Sequence, residues 1–208
     1  METINALVID DEQIVLDSVR KILTAENCEV STTSRGKNGI KMALGGHYDI
    51  VLTDIRMPDI GGLIVLRDIK RKKPSLPVLV ITGYATIRSA VQAIKLGAAD
   101  YIEKPFSPEQ LIESISTAIQ QSRVQVPEEA VILNRDEVIQ VLERVASDDT
   151  FKQDLLDNGS DALDAYRLSV PEKLAIITGD IDWIEAEIGP LTKQQRKWLE
   201  ARLGAEIW

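Results

Sequence analysis

In Val51-Leu52-Thr53-Asp54-Ile55-Arg56-Met57-Pro58-Asp59, an apolar run that begins at Tyr48 ends in a carboxylate, and a Met-Pro turn then stops the chain from continuing as a strand. This puts Asp54 at the C-terminal end of a strand. In an open α/β sheet, the loops at that edge leave a crevice where ligands and chemistry collect. A single acid after a strand is as often a helix cap, so the meaning of Asp54 depends on what the rest of the chain brings to the same edge.

Upstream, Ile4–Ile9 reads as a strand, and Ile14, Val15, Val19, Ile22 and Leu23 recur at helical spacing. Cys28–Thr33 alternates as a second strand, and a short helix around Lys37–Leu44 is closed by Gly45-Gly46. Downstream, Gly61-Gly62 opens a helix with Leu63, Leu66 and Ile69 on its apolar face. Pro74 and Pro77 bracket the return to a fourth strand, Val78–Ile81. A helix over Thr86–Leu96 stops at Gly97, and Asp100–Glu103 is a short fifth strand. Ser107-Pro108-Glu109-Gln110 then supplies an N-cap, a first-turn proline and a capping-box glutamine for a helix with Leu111, Ile115, Ala118 and Ile119 on one face. Five strand–helix pairs predict an α/β fold, a parallel sheet with helices on both sides.

If the strands are parallel, Asp10 and Asp11 after the first, Asp54 after the third, Thr82 after the fourth and Lys104 after the fifth meet at one edge. Three carboxylates at close range repel one another, and a hard, oxygen-liganded cation such as Mg²⁺ suits a site that keeps waters and later takes phosphate oxygens. A nucleophile, a metal and a cation for the equatorial oxygens are what phosphoryl transfer requires. Asp54, Mg²⁺ and Lys104 fill those roles.

Asp10-Asp11-Glu12, Asp54-Ile55-Arg56-Met57-Pro58, Thr82-Gly83 and Lys104-Pro105-Phe106 stand in an order and spacing that resembles the receiver domain of two-component response regulators over residues 1–122. The resemblance implies a flavodoxin-like sheet of order 2-1-3-4-5 and a phosphoryl group passed to Asp54 from a partner kinase's phosphohistidine. It implies that Asp11, Asp54 and the backbone carbonyl of Arg56 contact Mg²⁺ directly, while Asp10 acts through water. Thr82 would bond one phosphoryl oxygen, Lys104 another, and Tyr101 would change rotamer on activation. The Lys104–Pro105 peptide would be cis. Ile81-Thr82-Gly83-Tyr84-Ala85-Thr86 with Ala90–Ala98 is similar to receivers of the nitrogen-regulation activator class, which usually precede an ATPase and a DNA-binding helix pair. Here no Gly-x-x-x-x-Gly-Lys follows. The side chains two residues after the acceptor and after the switch threonine flank the path of hydrolytic water in such receivers; here they are Arg56 and Tyr84. Both are large, which predicts slow self-dephosphorylation.

The remaining chemistry-bearing residues have simpler readings. His47 lies in a loop, and Lys70-Arg71-Lys72-Lys73 reads as a solvated helix end favourable for the helix dipole. Asp11 by itself could cap the first helix.

The 208 residues are 44% hydrophobic, enough for one sizeable core and a second small one, since domains commonly run to about 100–150 residues. No apolar run approaches the roughly 20 residues of a membrane span. The start, Met1-Glu2-Thr3-Ile4, lacks the basic region of a signal peptide, and Cys28 is the one cysteine. A cytoplasmic protein is expected. The formal charge of −9 is uneven: from Arg123 onward there are 10 Lys and Arg against 18 Asp and Glu. Such a field repels phosphate backbones and disfavours DNA binding by the tail.

Apolar periodicity lapses near Gln120–Ala130, where Pro127-Glu128-Glu129 interrupts it. We therefore expect a receiver over 1–122, a linker over 123–130 and a small all-α domain over 131–208. Asn134 and Asp148-Asp149 are positioned to start helices. A third helix runs from Pro171 through Trp183 to Ile188, where Gly189-Pro190 ends it, and Thr192 caps a last one to about Glu206. Phe151, Tyr166, Trp183, Trp198 and Trp208 all fall in this tail and are expected to supply much of its core. Phe151…Leu155-Leu156…Tyr166…Leu168…Glu172 resembles small helical subunits of ring-opening dioxygenases over a stretch too unspecific to carry function across.

The tail offers no cysteine, histidine or paired-ligand spacing for metal catalysis, which leaves protein binding or dimerisation, not a dedicated enzymatic output. The partners are then a histidine kinase or phosphotransfer protein, a protein partner of the tail, and a second copy in a homodimer. Two other classes compete. A haloacid-dehalogenase-like phosphatase needs a second acid two residues after its aspartate, where Arg56 stands. A non-phosphorylated scaffold of the same fold is opposed by the intact set Asp10, Asp11, Asp54, Thr82 and Lys104.

Overall fold

A computed structural model describes residues 3–83, 87–124 and 134–204. Tyr84, Trp208 and the expected linker beyond Val124 lie outside them. The chain divides into two compact units, Met1–Glu128 and Glu129–Trp208.

The first unit alternates β1 (Ile4–Ile9), α1 (Gln13–Ala25), β2 (Cys28–Thr33), α2 (Gly36–Gly45), β3 (Ile50–Thr53), α3 (Gly62–Lys72), β4 (Val78–Thr82), α4 (Ile87–Lys95), β5 (Asp100–Glu103) and α5 (Pro108–Val124). All four pairings are parallel and the order is β2-β1-β3-β4-β5, the flavodoxin-like arrangement. The central strands are buried on both faces, which is why β3 and β4 read as continuous apolar runs and not as alternation. One face, through Ala6, Val8, Ile50, Leu52, Leu79, Ile81 and Ile102, packs on Leu16, Val19 and Leu23 of α1 and Leu111, Ile115 and Ala118 of α5. The alternate residues Leu7 and Ile9 are equally buried, and a Cβ on Gly39 of α2 would run into Ile9.

The basic run ending α3 is less solvated than its sequence suggests. Lys70 Nζ donates to the Pro74 carbonyl at 3.1 Å and Lys73 Nζ to the Gly46 carbonyl at 2.7 Å, so two of its cations cap carbonyls. Burial pulls the Lys70 pKa down.

The second unit is all-helical in its described residues: α6 (Arg135–Ser147), α7 (Asp149–Asn158), a 3₁₀ turn (Gly159–Leu163), α8 (Val170–Thr178), α9 (Ile181–Ile188) and α10 (Lys193–Gly204). Asp148 caps α7 by accepting from Phe151 N at 3.0 Å, and Thr192 with Gln195 forms a reciprocal cap on α10. The single helix expected from Pro171 to Ile188 is two. Gly179 turns left-handed at φ 67°, Asp180 starts α9 by accepting from Trp183 N at 3.3 Å, and a Cβ on Gly179 would collide with the Leu199 carbonyl. The apolar periodicity continues through this corner, so it hides the break.

The core here is more aliphatic than the aromatic count suggested. Val138, Val141, Leu142, Val145, Leu155, Leu174, Ile177 and Leu199 are buried with Phe151, whereas Tyr166, Trp183 and Trp198 are only half-buried.

Candidate functional site

The parallel sheet brings the ends of β1, β3, β4 and β5 to one edge. Asp54 N donates to the Ile9 carbonyl at 2.9 Å and Lys104 N to the Thr82 carbonyl at 2.9 Å, so each strand-end residue is held by its neighbour's last carbonyl. Asp10 and Asp54 are buried there at 2% and 4% exposure, and Thr82 is fully buried.

Lys104 is the hub. Its Nζ lies 2.6 Å from Asp10 Oδ2, 2.9 Å from Asp54 Oδ2 and 3.1 Å from Glu12 Oε1. The peptide joining it to Pro105 is cis. Burial works to lower the Lys104 pKa, but the Asp10 and Asp54 carboxylates more than offset it and hold the ammonium well above its usual range. Burial pushes the Asp10 carboxyl up, against the opposing pull of Lys104 and of the Glu12 N–H, which donates to Asp10 Oδ1 at 2.9 Å. Arg56 N donates to Asp54 Oδ1 at 3.3 Å, so the loop after β3 folds back over the carboxylate that precedes it.

The carboxylates that converge are Asp10, Glu12 and Asp54, whose ligand oxygens all lie within 4.8 Å of one another. Asp11 is exposed and stands outside that group. Glu12 is the member of the Asp10-Asp11-Glu12 motif to which its sequence context assigns no role. It is exposed, yet its carboxylate reaches Lys104 from the N-cap position of α1, where Gln13 begins the helix; Asp11 therefore does not cap α1. Tyr101 sits half-buried in β5 opposite Val80, and Arg56 is half-buried in the loop. His47 is exposed.

The donor set can be tested against a divalent cation. Three carboxylates, two of them buried, share one ammonium and leave two negative charges at this edge. Carboxylate and carbonyl oxygens are the ligands that a hard cation of the Mg²⁺ type takes. The residues fit such an ion.

Asp59 was not singled out by its sequence context. Its Oδ1 accepts from Gly36 N and its Oδ2 from Lys37 N, both at 3.0 Å, so it caps α2 from the loop after β3. Burial works to raise its pKa, but the Lys37, Gly36 and Ile60 N–H groups together hold the carboxyl below its ordinary value. No local signal could have found it, because the partners are 23 and 22 residues away.

Comparison with known proteins agrees with this geometry. The family model described as response regulator receiver domain matches residues 6–116. The cell cycle response regulator CtrA of Brucella ovis is 35% identical over 117 residues, 56% of this chain and 50% of its own length. The chain thus spans about half the length of the curated relatives it matches. Among solved structures, a response regulator receiver domain protein from Clostridium thermocellum is 32% identical at a TM-score of 0.55, covering 58% of this chain and 98% of its own. The beryllofluoride-activated NtrC4 receiver domain dimer is 33% identical at a TM-score of 0.55, covering 57% and 98%. With its strand order, its acidic edge and a family match that runs from β1 into α5, this chain belongs to the response regulator receiver family of two-component signalling.

Proposed function

We propose that Asp54 accepts a phosphoryl group from a histidine kinase or phosphotransfer protein, and that the helical unit reads the result. The observation that carries this reading is the buried Asp54–Lys104 pair at 2.9 Å, with Asp10 on the same ammonium at 2.6 Å. An Asp54 carboxylate oxygen attacks the phosphorus of a phosphohistidine. The phosphorus–nitrogen bond breaks, the histidine nitrogen keeps the electron pair, and an acyl phosphate forms on Asp54. Lys104 follows the charge, pairing with a phosphoryl oxygen where negative charge develops. The Thr82 hydroxyl donates to a second phosphoryl oxygen, and Tyr101 changes rotamer with it.

Asp54 and the Arg56 carbonyl would hold Mg²⁺ directly, Asp11 would join them by swinging its exposed side chain inward, and Asp10 would act through water, with Glu12 as a further oxygen donor facing the same point. When bound, the ion supplies charge neutralisation for the phosphoryl oxygens. The chain's own residues do the positioning. Asp10 and Glu12 hold Lys104 against Asp54, and the Arg56 N–H orients the acceptor carboxylate.

In this reading residues 1–122 are the receiver, 123–130 the linker and 131–208 the output domain, all working in the cytoplasm. Phosphorylation shifts a two-state equilibrium whose products differ at the surface offered to a protein partner. A homodimer belongs to the same reading, supported by the NtrC4 receiver, which was solved as a dimer. The acidic tail keeps DNA out of the scheme.

Acetyl phosphate with Mg²⁺ should add one phosphate to the intact chain, read by mass spectrometry, and Asp54→Asn should take none. Wild-type labelling of the variant would overturn the assignment. With Arg56 beside the acceptor, the label should outlast removal of the donor by minutes; decay within seconds would remove the proposed slow turnover.

A further inference from the structure

We infer that Asp59 is a positioning residue that sets the affinity of the strand-end site for its divalent cation, by pinning the loop between β3 and α3 to the N-terminus of α2. The inference rests on the proposed reading of Asp54 and the Arg56 carbonyl as ligands.

The first turn of α2 has no cap of its own. Arg35 stands at the N-cap without a side-chain bond, yet the Gly36 and Lys37 N–H groups need acceptors. Asp59 satisfies both, one with each oxygen, at 3.0 Å. A carboxylate at a helix N-terminus also faces the favourable end of the helix dipole. Ile60 reinforces the contact, since a Cβ on Gly36 would lie 2.5 Å from Ile60 Cγ1. The loop is therefore seated on α2 by residues 59 and 60.

Its far end is held separately. Gly62 N donates to the Ile55 carbonyl at 2.7 Å, and a Cβ on Gly62 would collide with the Asp54 carbonyl. Between these two anchors run Arg56, Met57 and Pro58, and the Arg56 N–H donates to Asp54 Oδ1 at 3.3 Å, which ties this stretch to the acceptor. The position of the Arg56 carbonyl is thus set by where the loop is seated.

Through α2 that seat also reaches β1. Gly39 of α2 packs on Ile9, the last residue of β1, and Asp10 follows it directly. Asp59 thereby closes a loop of contacts that runs from Asp54 along the β3–α3 segment, across to α2, onto β1 and back to Asp10. Without it, the acids and the carbonyl would have to be ordered by the ion itself, at a cost to binding.

The test uses the full-length protein and MgCl₂, followed by two-dimensional ¹H–¹⁵N NMR, for wild type, Asp59→Asn and Asp59→Ala. Asp59→Ala should weaken the Mg²⁺ Kd by about tenfold, the size typical of groups that orient metal ligands. Asp59→Asn, which keeps one acceptor oxygen, should fall between. At saturating Mg²⁺ the labelling rate with acetyl phosphate should return to within about twofold of wild type, because the variant loses binding and not the transfer step. Wild-type Mg²⁺ affinity in Asp59→Ala, even with a lowered melting temperature, would overturn the inference and leave Asp59 a helix cap alone. If Asp59→Ala does not fold, unchanged affinity in Asp59→Asn overturns it equally. Failure of the wild type to bind Mg²⁺ or to label would instead bring down the proposed site itself.

Discussion

The receiver and the helical tail both bury charged side chains, and they treat them in opposite ways. In the receiver, Asp10, Asp54 and Lys104 face one another at a sheet edge. In the tail, the buried charges go mainly to the backbone. Glu172, with 0% exposure, accepts from Ser169 N at 2.6 Å, Ser169 Oγ at 2.7 Å and Asn134 N at 2.5 Å. Arg202, 3% exposed, donates to the Leu155 carbonyl at 3.5 Å and lies 5.5 Å from the Trp198 ring. A carboxylate whose oxygens are occupied by amides is a structural part, whereas one held against an ammonium retains charge that an incoming phosphoryl group can reorganise.

The sharpest way to break this contrast is at Lys104. If its role is electrostatic, Lys104→Met should slow acetyl-phosphate labelling of Asp54 about 100- to 1,000-fold, the usual size for loss of a preorganised charge partner. Intact-mass kinetics at saturating Mg²⁺ would measure it, and an undiminished rate would make Lys104 a structural cation like Arg202.

Glu172→Ala tests the other side. It strips three donors of their acceptor in a buried position and should cost about 2–3 kcal/mol. All three tryptophans are in the tail, so urea unfolding followed by tryptophan fluorescence reads this unit directly. Labelling at Asp54 should be unchanged, and a large loss there would show that Glu172 belongs to the signalling machinery after all.

The smallest effect concerns Asp148. Its carboxyl is held below the ordinary value, first by the Phe151 N–H and then by Arg144, whose Nε lies 3.0 Å away. A lowered folded pKa means stability present above the unfolded value, 3.8, and lost as pH falls through the folded one. The melting-temperature gap between wild type and Asp148→Ala should therefore be full at neutral pH and close below that value. A gap that persists in acid would assign Asp148 a packing role.

What could be read in advance followed the range of the signals. Strand ends, turn residues and helix starts such as Ser107-Pro108 are written within a few neighbouring residues, and Gln110 N does donate to Ser107 Oγ, at 3.2 Å. Glu12 and Asp59 were hidden because their partners are remote: Glu12 meets Lys104 across 92 residues. The corner at Gly179 was hidden for a related reason. Apolar spacing continues through it, and what forbids a side chain there is the carbonyl of Leu199, from another helix.

By itself, the order of apolar runs, turns and strand-end polar residues determined the parallel α/β class, the grouping of Asp10, Asp54, Thr82 and Lys104 at one edge, and the acidic helical character of the tail. These follow from local periodicity and from the geometry of parallel strands, which places every strand's C-terminus on one side. Only the tertiary structure decided that Glu12 and not Asp11 joins the carboxylate cluster, that Asp59 crosses to α2, and that Glu172 reaches Asn134. Each of those contacts joins residues distant in the chain. It is settled by where the folded backbone aims them.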